Sequence, residues 1–335
     1  MTLSAPPAAL AQRVYALLCD QKFHSGAALA AECGVSRSAV WKTMAALRRL
    51  DVTVNAVARR GYRLPHATPP LDAGRIRAAL PPEVAGSLRT AVSAWSTGST
   101  NADLLSHGDL PPGRFDFMTA EYQSAGRGRR TRSWFAPPGG SICLSVAWSF
   151  ASVPAIVGAL SLAMGVCALR ALRQCGIDGV ALKWPNDLVA RQAKLGGILA
   201  ELRAEAAGPA FVVIGIGLNV SLGAAVIERV RASGTHAVDL AELAGAPVDR
   251  NIVAAALITR IVEGLQQFER RGFGSFVTEW SSLDALAGKP VQVKLDSGIV
   301  CGHARGIDAD GALCVQTKDG VQRFTTGDAS VRPAT

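Results

Sequence analysis

The residues of this chain best suited to chemistry lie in one stretch, 121–134, with the sequence EYQSAGRGRRTRSW. Gly126 and Gly128 let the backbone approach a bound ligand closely, because glycine has no side chain. The stretch also contains four arginines within six positions, whose guanidinium groups suit phosphate oxygens: Arg127, Arg129, Arg130 and Arg132. This pattern predicts an anion-binding loop, although a solvated basic loop or a nonspecific nucleic-acid contact has the same composition.

Three further stretches place small or polar residues beside apolar strands. STGSTN at 96–101 puts hydroxyls and an amide at a strand-to-helix junction, which suits an uncharged polar group such as a ureido ring or is an ordinary helix cap. LKWPNDL is soon followed by KLGGILAE, whose Lys194 suits a carboxylate under activation or is a surface lysine with a buried stem. Alternate glycines in VIGIGLNV leave room on one strand face, with Asn219 as a polar contact.

The composition is that of a folded protein of two or three domains, with 335 residues and 49% hydrophobic content. The net charge of +9 is uneven, because residues 1–64 hold nine Lys/Arg against three acids, which favours a polyanionic partner for the N-terminus. The seven cysteines lie in apolar sequence without a CxxC pair, as expected in a reducing cytoplasm. We expect no signal peptide, and prolines and glycines argue against a membrane span in the charge-free run 133–169.

The first 64 residues have the spacing of a winged helix-turn-helix domain, with three helices, a turn at Gly34 and two short strands ending in RRGYR. In such a domain the third helix enters the major groove and the wing contacts phosphates. Trp41 is ambiguous, and we favour packing beneath the helix over contact with a base. A three-helix protein-interaction module is the alternative to DNA binding. The predicted DNA contacts are Ser36, Arg37, Ser38, Trp41, Lys42, Arg59 and Arg60.

The remaining chain divides at composition changes, which predicts an α+β multidomain protein. A proline-rich linker, 65–72, is a boundary that few contacts should cross. Residues 73–285 alternate long strands and helices and predict a mixed, largely antiparallel sheet backed by helices. In residues 286–335 apolar and polar residues alternate, with turns at Asp-Ser-Gly and Asp-Gly, and this pattern predicts a small β-barrel. The chain has no GxxxxGK(S/T) pattern and only isolated histidines, so neither a P-loop nor a zinc site is supported.

STGSTN, EYQSAGRGRRTRSW, LKWPNDL, KLGGIL and GIGLNV, in this order and spacing, resemble the motif set of the biotin-protein ligases. With the winged helix-turn-helix in front, the whole chain resembles the BirA-type bifunctional ligases, which also act as biotin-operon repressors. The resemblance covers essentially all 335 residues. It implies a class II synthetase-like ligase fold in the centre and an SH3-like C-terminal domain.

The resemblance also implies a two-step reaction. The carboxylate of biotin attacks the α-phosphate of Mg-ATP and releases pyrophosphate, and the resulting biotinyl-5'-adenylate acylates one lysine of a biotin carboxyl carrier domain. Adenylate-bound protein is expected to form a homodimer through the central sheet and to bind operator DNA of biotin-synthesis genes. Alternatives are a ligase whose DNA-binding domain is vestigial or serves other promoters, and the related lipoyl-transferring ligases, which lack the GRGRR motif.

Motif by motif, the resemblance implies roles for individual residues. The implied biotin-binding set is Ser99, Thr100, Asn101, Gln123, Arg127, Gly128, Arg129, Lys194, Gly196, Gly215 and Gly217. The implied ATP-binding set is Arg127, Arg129, Arg130, Arg132, Trp134, Lys194 and Asn219. Lys194, Arg129 and Arg127 are the expected catalytic residues, and Asp187 is a candidate metal ligand. Thr131 replaces the usual glycine, so loop closure is expected to differ, and Asp328 and Arg332 match positions that support ATP and acceptor binding or only the fold.

Overall fold

Three β-sheets organise the residues described by the computed structural model, which are 8–65, 68–108, 110–129, 132–152, 157–204, 209–232, 236–295, 298–325 and 330–333. The first sheet has two strands and lies in the N-terminal domain. The second has seven strands and forms the centre, and the third has five strands near the C-terminus. This order agrees with the α+β architecture expected from the sequence.

The N-terminal domain is a three-helix unit followed by a wing. Its elements are α1 (Ala8–Leu17), which continues into a 3₁₀ turn (Leu18–Asp20), α2 (Gly26–Cys33), α3 (Arg37–Arg49), β1 (Asn55–Val57) and β2 (Gly61–Arg63). Gly34 has φ 66° between α2 and α3, and the Ser36 hydroxyl accepts a hydrogen bond from the amide of Ala39 to cap α3. The two strands pair antiparallel, so the predicted wing is present.

One predicted packing arrangement in this domain is wrong. Val40, Met44 and Leu47 are fully buried on one face of α3, as their spacing predicts. Trp41 does not pack beneath the helix, because its side chain is 53% exposed. It follows Val40 by one position, which turns it about 100° away from the buried stripe and onto the polar face.

The central domain is a mixed sheet with helices on both faces. Its helices are α4 (Ala73–Ala78), α5 (Pro82–Ala85), α6 (Thr100–His107), α7 (Leu160–Gln174, after a 3₁₀ turn at Val157–Ala159), α8 (Ala224–Ala232), α9 (Leu240–Ala244), α10 (Arg250–Arg271) and α11 (Gly274–Ser282). Its strands are β3 (Leu88–Thr97), β4 (Phe115–Gln123), β5 (Ser141–Phe150), β6 (Ala181–Lys183), β7 (Asp187–Ala190), β8 (Ala193–Ala204) and β9 (Ala210–Asn219).

The strand order is β3-β4-β5-β9-β8-β7-β6, with β3 and β4 parallel and every other pair antiparallel. Side chains alternate between the two faces of each strand. On β5, Val146 and Trp148 join the main core beneath α7 and α10, whereas Ala147 joins a smaller cluster with Leu104 of α6. The face that carries α6 is therefore distinct from the face that carries the main core.

The C-terminal residues form a five-stranded antiparallel sheet in the order β13-β12-β11-β10-β14. Its strands are β10 (Pro290–Leu295), β11 (Gly298–Ile307), β12 (Leu313–Thr317), β13 (Gly320–Phe324) and β14 (Ser330–Pro333). Arg332 lies on β14 opposite Gln292, and Asp328 lies outside the described residues. The Trp184 indole donates to the carbonyl of Gly311 at 3.0 Å, which joins this sheet domain to the central domain.

The linker does not behave as the sequence suggested, because its residues 68–72 are tightly bound to the central domain. The guanidinium of Arg250 donates to both carboxylate oxygens of Glu121 at 2.9 and 3.0 Å, and also to the carbonyl of Pro69 at 2.8 Å. The same carboxylate accepts from the amides of Leu71 and Gly139 at 2.6 and 2.8 Å. These five residues form a buried clasp, in which the charged side chains are 1–2% exposed.

The N-terminal domain is also fixed to the central domain directly. The rings of Tyr15 and Trp95 lie 5.4 Å apart, and the Tyr15 hydroxyl donates to the carbonyl of Thr68 at 3.2 Å. Asp51, which follows α3, forms two hydrogen bonds of 2.6 and 2.8 Å with the guanidinium of Arg229 on α8. The two domains thus meet at both ends of the three-helix unit.

The cysteines differ in environment more than their apolar sequence context suggested. Burial raises the pKa of the Cys143 and Cys167 thiols to about 12, so both are protonated at neutral pH. Cys301 instead lies exposed on β11. Among the described residues, no helix combines the length and apolar character needed to cross a membrane.

Candidate functional site

The predicted chemical residues converge on one cavity of about 630 Å³ on the α6 side of the central sheet. This volume lies within the range that holds small organic ligands. The cavity is lined by nearly all of the residues singled out in the sequence: Ser99, Thr100, Asn101, Gln123, Arg127, Gly128, Arg129, Arg132, Trp134, Asp187, Lys194, Gly215, Gly217 and Asn219. Five motifs that are far apart in the chain therefore supply one site.

Gly196 is the exception among the described residues, because Gly197 lines the cavity in its place. A side-chain carbon on Gly196 would lie 2.6 Å from the carbonyl of Gly217 and 3.1 Å from Leu218, on the side away from the ligand space. Successive residues of a strand face opposite sides, so a one-position difference decides which glycine borders the cavity. Arg130 and Thr131 lie outside the described residues.

One region of the cavity is polar and uncharged, and it forms where β3 leads into α6. The Ser99 hydroxyl caps α6 by accepting from the amide of Ala102 at 3.5 Å. The amide and hydroxyl of Thr100 both lie within hydrogen-bond distance of Gln123 Oε1, at 2.8 and 3.1 Å. These contacts fix the Gln123 carbonyl oxygen and hold its side chain in one orientation on the cavity wall.

A hydroxyl beneath this region completes the polar network. Ser145 on β5 is fully buried, and its Oγ lies 2.7 Å from Thr100 Oγ1 and 2.5 Å from Asn101 Oδ1. The Asn101 NH₂ group donates to the carbonyl of Leu199 at 3.3 Å and to Glu201 Oε2 at 2.7 Å. The network holds these side chains in fixed orientations, which favours recognition of a ligand with matching donors and acceptors.

The alternate glycines of β9 make room for two large neighbours. A side-chain carbon on Gly215 would overlap the Asn101 amide, and one on Gly217 would overlap the Trp134 ring. Both glycines are therefore required by the residues that stand over them.

Biotin is the ligand that the motif resemblance implies, and we expect Gly215→Ala to weaken its binding about tenfold or more, because the added methyl group displaces Asn101 and disturbs its network. Isothermal titration with biotin measures the effect. Gly274→Ala is the matched control, since no atom lies within 4 Å of the methyl group it adds. Equal binding by both variants would contradict this account of β9.

The other region of the cavity is rich in cationic groups. Lys194 Nζ lies 2.6 Å from Asp187 Oδ1 and 5.9 Å from the centre of the Trp134 ring. The remaining cationic side chains along the wall are Arg127, Arg129, Arg132, Lys183 and Arg229. Because cations exceed carboxylates here, this region suits an anion such as a carboxylate or phosphate.

Asn219 has a supporting position in this region. Its NH₂ group donates to the carbonyls of Lys194 and Val238 at 3.3 and 3.2 Å, and the residue is buried. These bonds hold the start of β8, and so the backbone of Lys194, against β9.

Several lining or supporting residues were not singled out from the sequence. They are Ser145, Lys183, Glu201, Phe135 and Arg229. Lys183 is the lysine of LKWPNDL and was detectable from that motif. Ser145 lies in an apolar strand and Arg229 in an ordinary amphipathic helix, so neither carried a signal.

The predicted DNA contacts lie on two elements of the N-terminal domain, α3 and the wing, and are exposed there. Arg37, Ser38, Trp41 and Lys42 are exposed along the first half of α3. The Ser36 hydroxyl is already used as the helix cap and lies 2.8 Å from Ser38 Oγ. In the wing, Arg59 and Arg60 are exposed, and the Arg60 guanidinium lies 4.3 Å above the centre of the Phe23 ring.

These elements define a class of protein in which a winged helix-turn-helix precedes a small-molecule ligase domain. Three family models match the chain: an HTH domain over residues 11–63, the biotin/lipoate A/B protein ligase family over 96–219, and the biotin protein ligase C terminal domain over 287–332. The last two matches agree with the ligase sheet and the SH3-like C-terminal domain.

Comparison with curated proteins is more specific. The bifunctional ligase/repressor BirA of Salmonella typhimurium is 38% identical over 319 residues, which cover 95% of this chain and 96% of that protein. The biotin–acetyl-CoA-carboxylase ligase of Mycobacterium tuberculosis is 36% identical and covers 78% of this chain and 95% of its own length. The chain belongs to the BirA family of bifunctional ligase/repressors and is a biotin protein ligase.

Solved structures agree with this assignment. A biotin protein ligase variant from Aquifex aeolicus, in complex with biotin, superposes with a TM-score of 0.61 at 25% identity and covers 74% of this chain and 99% of its own. The same enzyme in complex with biotin and ATP gives a TM-score of 0.59 at 24% identity, covers the same shares of each chain, and supports the fold.

Proposed function

We propose that the cavity binds biotin and ATP together, forms biotinyl-5'-adenylate, and presents the adenylate to a lysine of a biotin carboxyl carrier domain. One observation carries this proposal. A fixed, uncharged polar region and a cationic region share the same 630 Å³ cavity. Biotin has the matching form, with an uncharged ureido ring and a carboxylate separated by an aliphatic chain.

The uncharged region is suited to the ureido ring. Thr100 and Gln123 present a hydroxyl and an amide that are already oriented by each other, and Ser99 and Asn101 fix the start of α6 beside them. Gly215 leaves room for the Asn101 amide that stands over it, and Gly197 adds no side chain to the same cavity wall. Oriented polar groups lose little freedom on binding, which raises affinity.

The cationic region is suited to the reacting groups. Lys194, with Arg129 and Arg132, offsets the charges of the biotin carboxylate and the α-phosphate, which otherwise repel each other as the oxygen attacks phosphorus. The bond from the α-phosphate to pyrophosphate breaks as the bond to the carboxylate oxygen forms. In the second step the carrier lysine attacks the biotinyl carbonyl carbon, loses a proton, and releases AMP. Trp134 supplies an aromatic surface for adenine in the same cavity.

Mg²⁺ is the expected companion of ATP, and it commonly binds through one carboxylate together with phosphate oxygens. Asp187 is the carboxylate among the lining residues of the described part of the chain, and it lies against Lys194. Asp187 therefore would hold Mg²⁺ beside the phosphates, where the ion supplies further charge neutralisation.

Native intact-mass measurement after mixing with biotin and Mg-ATP tests this function. We expect a retained biotinyl-adenylate, which disappears as an added carrier domain gains biotin. Lipoate in place of biotin is the control, and it should give no adducts. Absence of both adenylate and transfer would overturn the assignment of the cavity.

We also propose a second role, in which adenylate-bound homodimers pair through the central sheet and repress biotin-synthesis genes. The exposed face of α3 and the wing fit operator DNA. Asp51 follows α3 and bonds to Arg229, which borders the cavity, so the cavity wall is in direct contact with the end of the helix that carries the DNA face. A footprint that strengthens with biotin plus ATP is expected. If the footprint is the same with and without biotin plus ATP, the protein is a ligase whose DNA-binding domain serves other promoters. If there is no footprint, the DNA-binding domain is vestigial.

A further inference from the structure

Glu201 lies next to the uncharged region without being one of the expected ligand contacts. It follows Leu199 by two positions on β8, so both side chains lie on the face of the sheet where Gly197 borders the cavity. Its carboxylate is 23% exposed and joins two parts of the site, Asn101 at 2.7 Å and Arg127 at 3.3 Å. A partly desolvated carboxylate between an amide and a guanidinium is well placed to hold both.

The contact with Asn101 shows that this asparagine is held by the protein itself. Its NH₂ group is used by Glu201 and by the carbonyl of Leu199, and its Oδ1 lies against the Ser145 hydroxyl. Asn101 therefore serves as a support behind the ring-binding surface, and Glu201 is one of its three fixed partners.

The contact with Arg127 sets the direction of the first arginine of the 121–134 stretch. The backbone of Arg127 bridges to Ser133, and the amide of Gly128 donates to the carbonyl of Arg132 at 2.6 Å, so the stretch doubles back on itself. Arg127 begins this turn, and its side chain points to Glu201 beside the ring region. Arg129 and Arg132 line the cavity as well.

We propose that Glu201 is a positioning residue that holds Arg127 at the solvent side of the ring region and so slows the release of biotin. The arginines of the 121–134 stretch then have two different functions. Arg127 retains the ring through Glu201, whereas Arg129 and Arg132 face the phosphate. This inference rests on the proposed assignment of the uncharged region to the biotin ring.

Glu201→Gln removes the carboxylate charge that pairs with Arg127 and keeps an acceptor for the hydrogen bond from Asn101. Glutamine still accepts from Asn101 through its carbonyl oxygen, but it cannot form an ion pair with Arg127. We expect the dissociation rate of biotin and the KM for biotin to rise about tenfold, with kcat at saturating biotin changed less than about threefold. Displacement of bound biotin by excess desthiobiotin, followed by stopped-flow fluorescence, measures the dissociation rate.

Two variants complete the test. Arg127→Gln removes the other partner, and the double variant should release biotin no faster than either single variant, because one interaction has been lost. Glu242→Gln is the matched control, since it breaks an exposed pair with Arg191 away from the cavity. A biotin release rate unchanged by Glu201→Gln, or fully additive effects of the two substitutions, would overturn the role of Glu201. Failure of the wild-type protein to bind biotin would instead overturn the assignment of the cavity.

Discussion

We expect Lys194→Ala to lower the kcat/KM for biotin transfer to a carrier domain by about 100- to 1,000-fold, while the protein remains folded. Lys194 places an ammonium group on the cavity wall at the start of β8, held by Asp187 at 2.6 Å. Alanine removes this charge from the cavity wall, so the negative charge on the reacting carboxylate and phosphate loses a preorganised attraction.

The rate of biotin transfer to the carrier domain, measured after the protein is mixed with biotin and Mg-ATP, gives this effect. The Lys294→Ala variant serves as a control, because this exposed lysine lies on β10 of the C-terminal sheet. Thermal unfolding of Lys194→Ala should resemble that of the wild-type protein, since the side chain is only half-buried. Near-normal transfer by Lys194→Ala would refute its role as the charge that activates the carboxylate.

Arg250→Leu is the second change with a large expected effect, and here the effect is on stability. Arg250 and Glu121 are almost completely buried, and the substitution leaves the carboxylate without its cation in the core. We expect the free energy of unfolding of the central domain to fall by about 3 to 5 kcal/mol, because an uncompensated buried charge is costly. The double variant Arg250→Leu/Glu121→Leu should lose less than the sum of the two single variants.

Chemical denaturation followed by tryptophan fluorescence gives these free energies, read from the transition that the central domain contributes. Arg260→Leu is the matched control. It breaks the more exposed ion pair between Arg260 and Glu263 on the same helix, α10, and should lower the free energy of unfolding by at most about 1 kcal/mol. Equal destabilisation by Arg260→Leu and Arg250→Leu would show that burial of the clasp does not matter.

Local patterns explain how much of this protein is predictable from its sequence. Apolar periodicity gave the strands and helices of the central sheet, and glycine with arginine in one stretch gave the anion-binding part of the cavity. The motif resemblance also predicted that Lys194, Asn101 and Trp134 contribute to one site. Each of these signals lies within about ten residues of chain.

The features that were missed depend on partners far apart in the chain. Glu121 and Arg250 are separated by 129 positions, and nothing near either residue shows that they meet and hold the linker. Glu201 reaches Asn101 only because β8 and β9 pair in one register, and a shift of one residue would turn it away. The same alternation placed Gly197, and not Gly196, on the cavity wall.

The contact between Asp51 and Arg229 has a thermodynamic consequence for both activities. α3 spans 13 residues, about 20 Å, and carries the exposed DNA face at its beginning and Asp51 just after its end. If an occupied cavity changes the affinity for an operator through this helix, linkage requires the operator to change the affinity for the ligand by the same factor. DNA would then be an effector of the enzyme, and the concentration of operator sites would enter the biotin-binding isotherm as a variable.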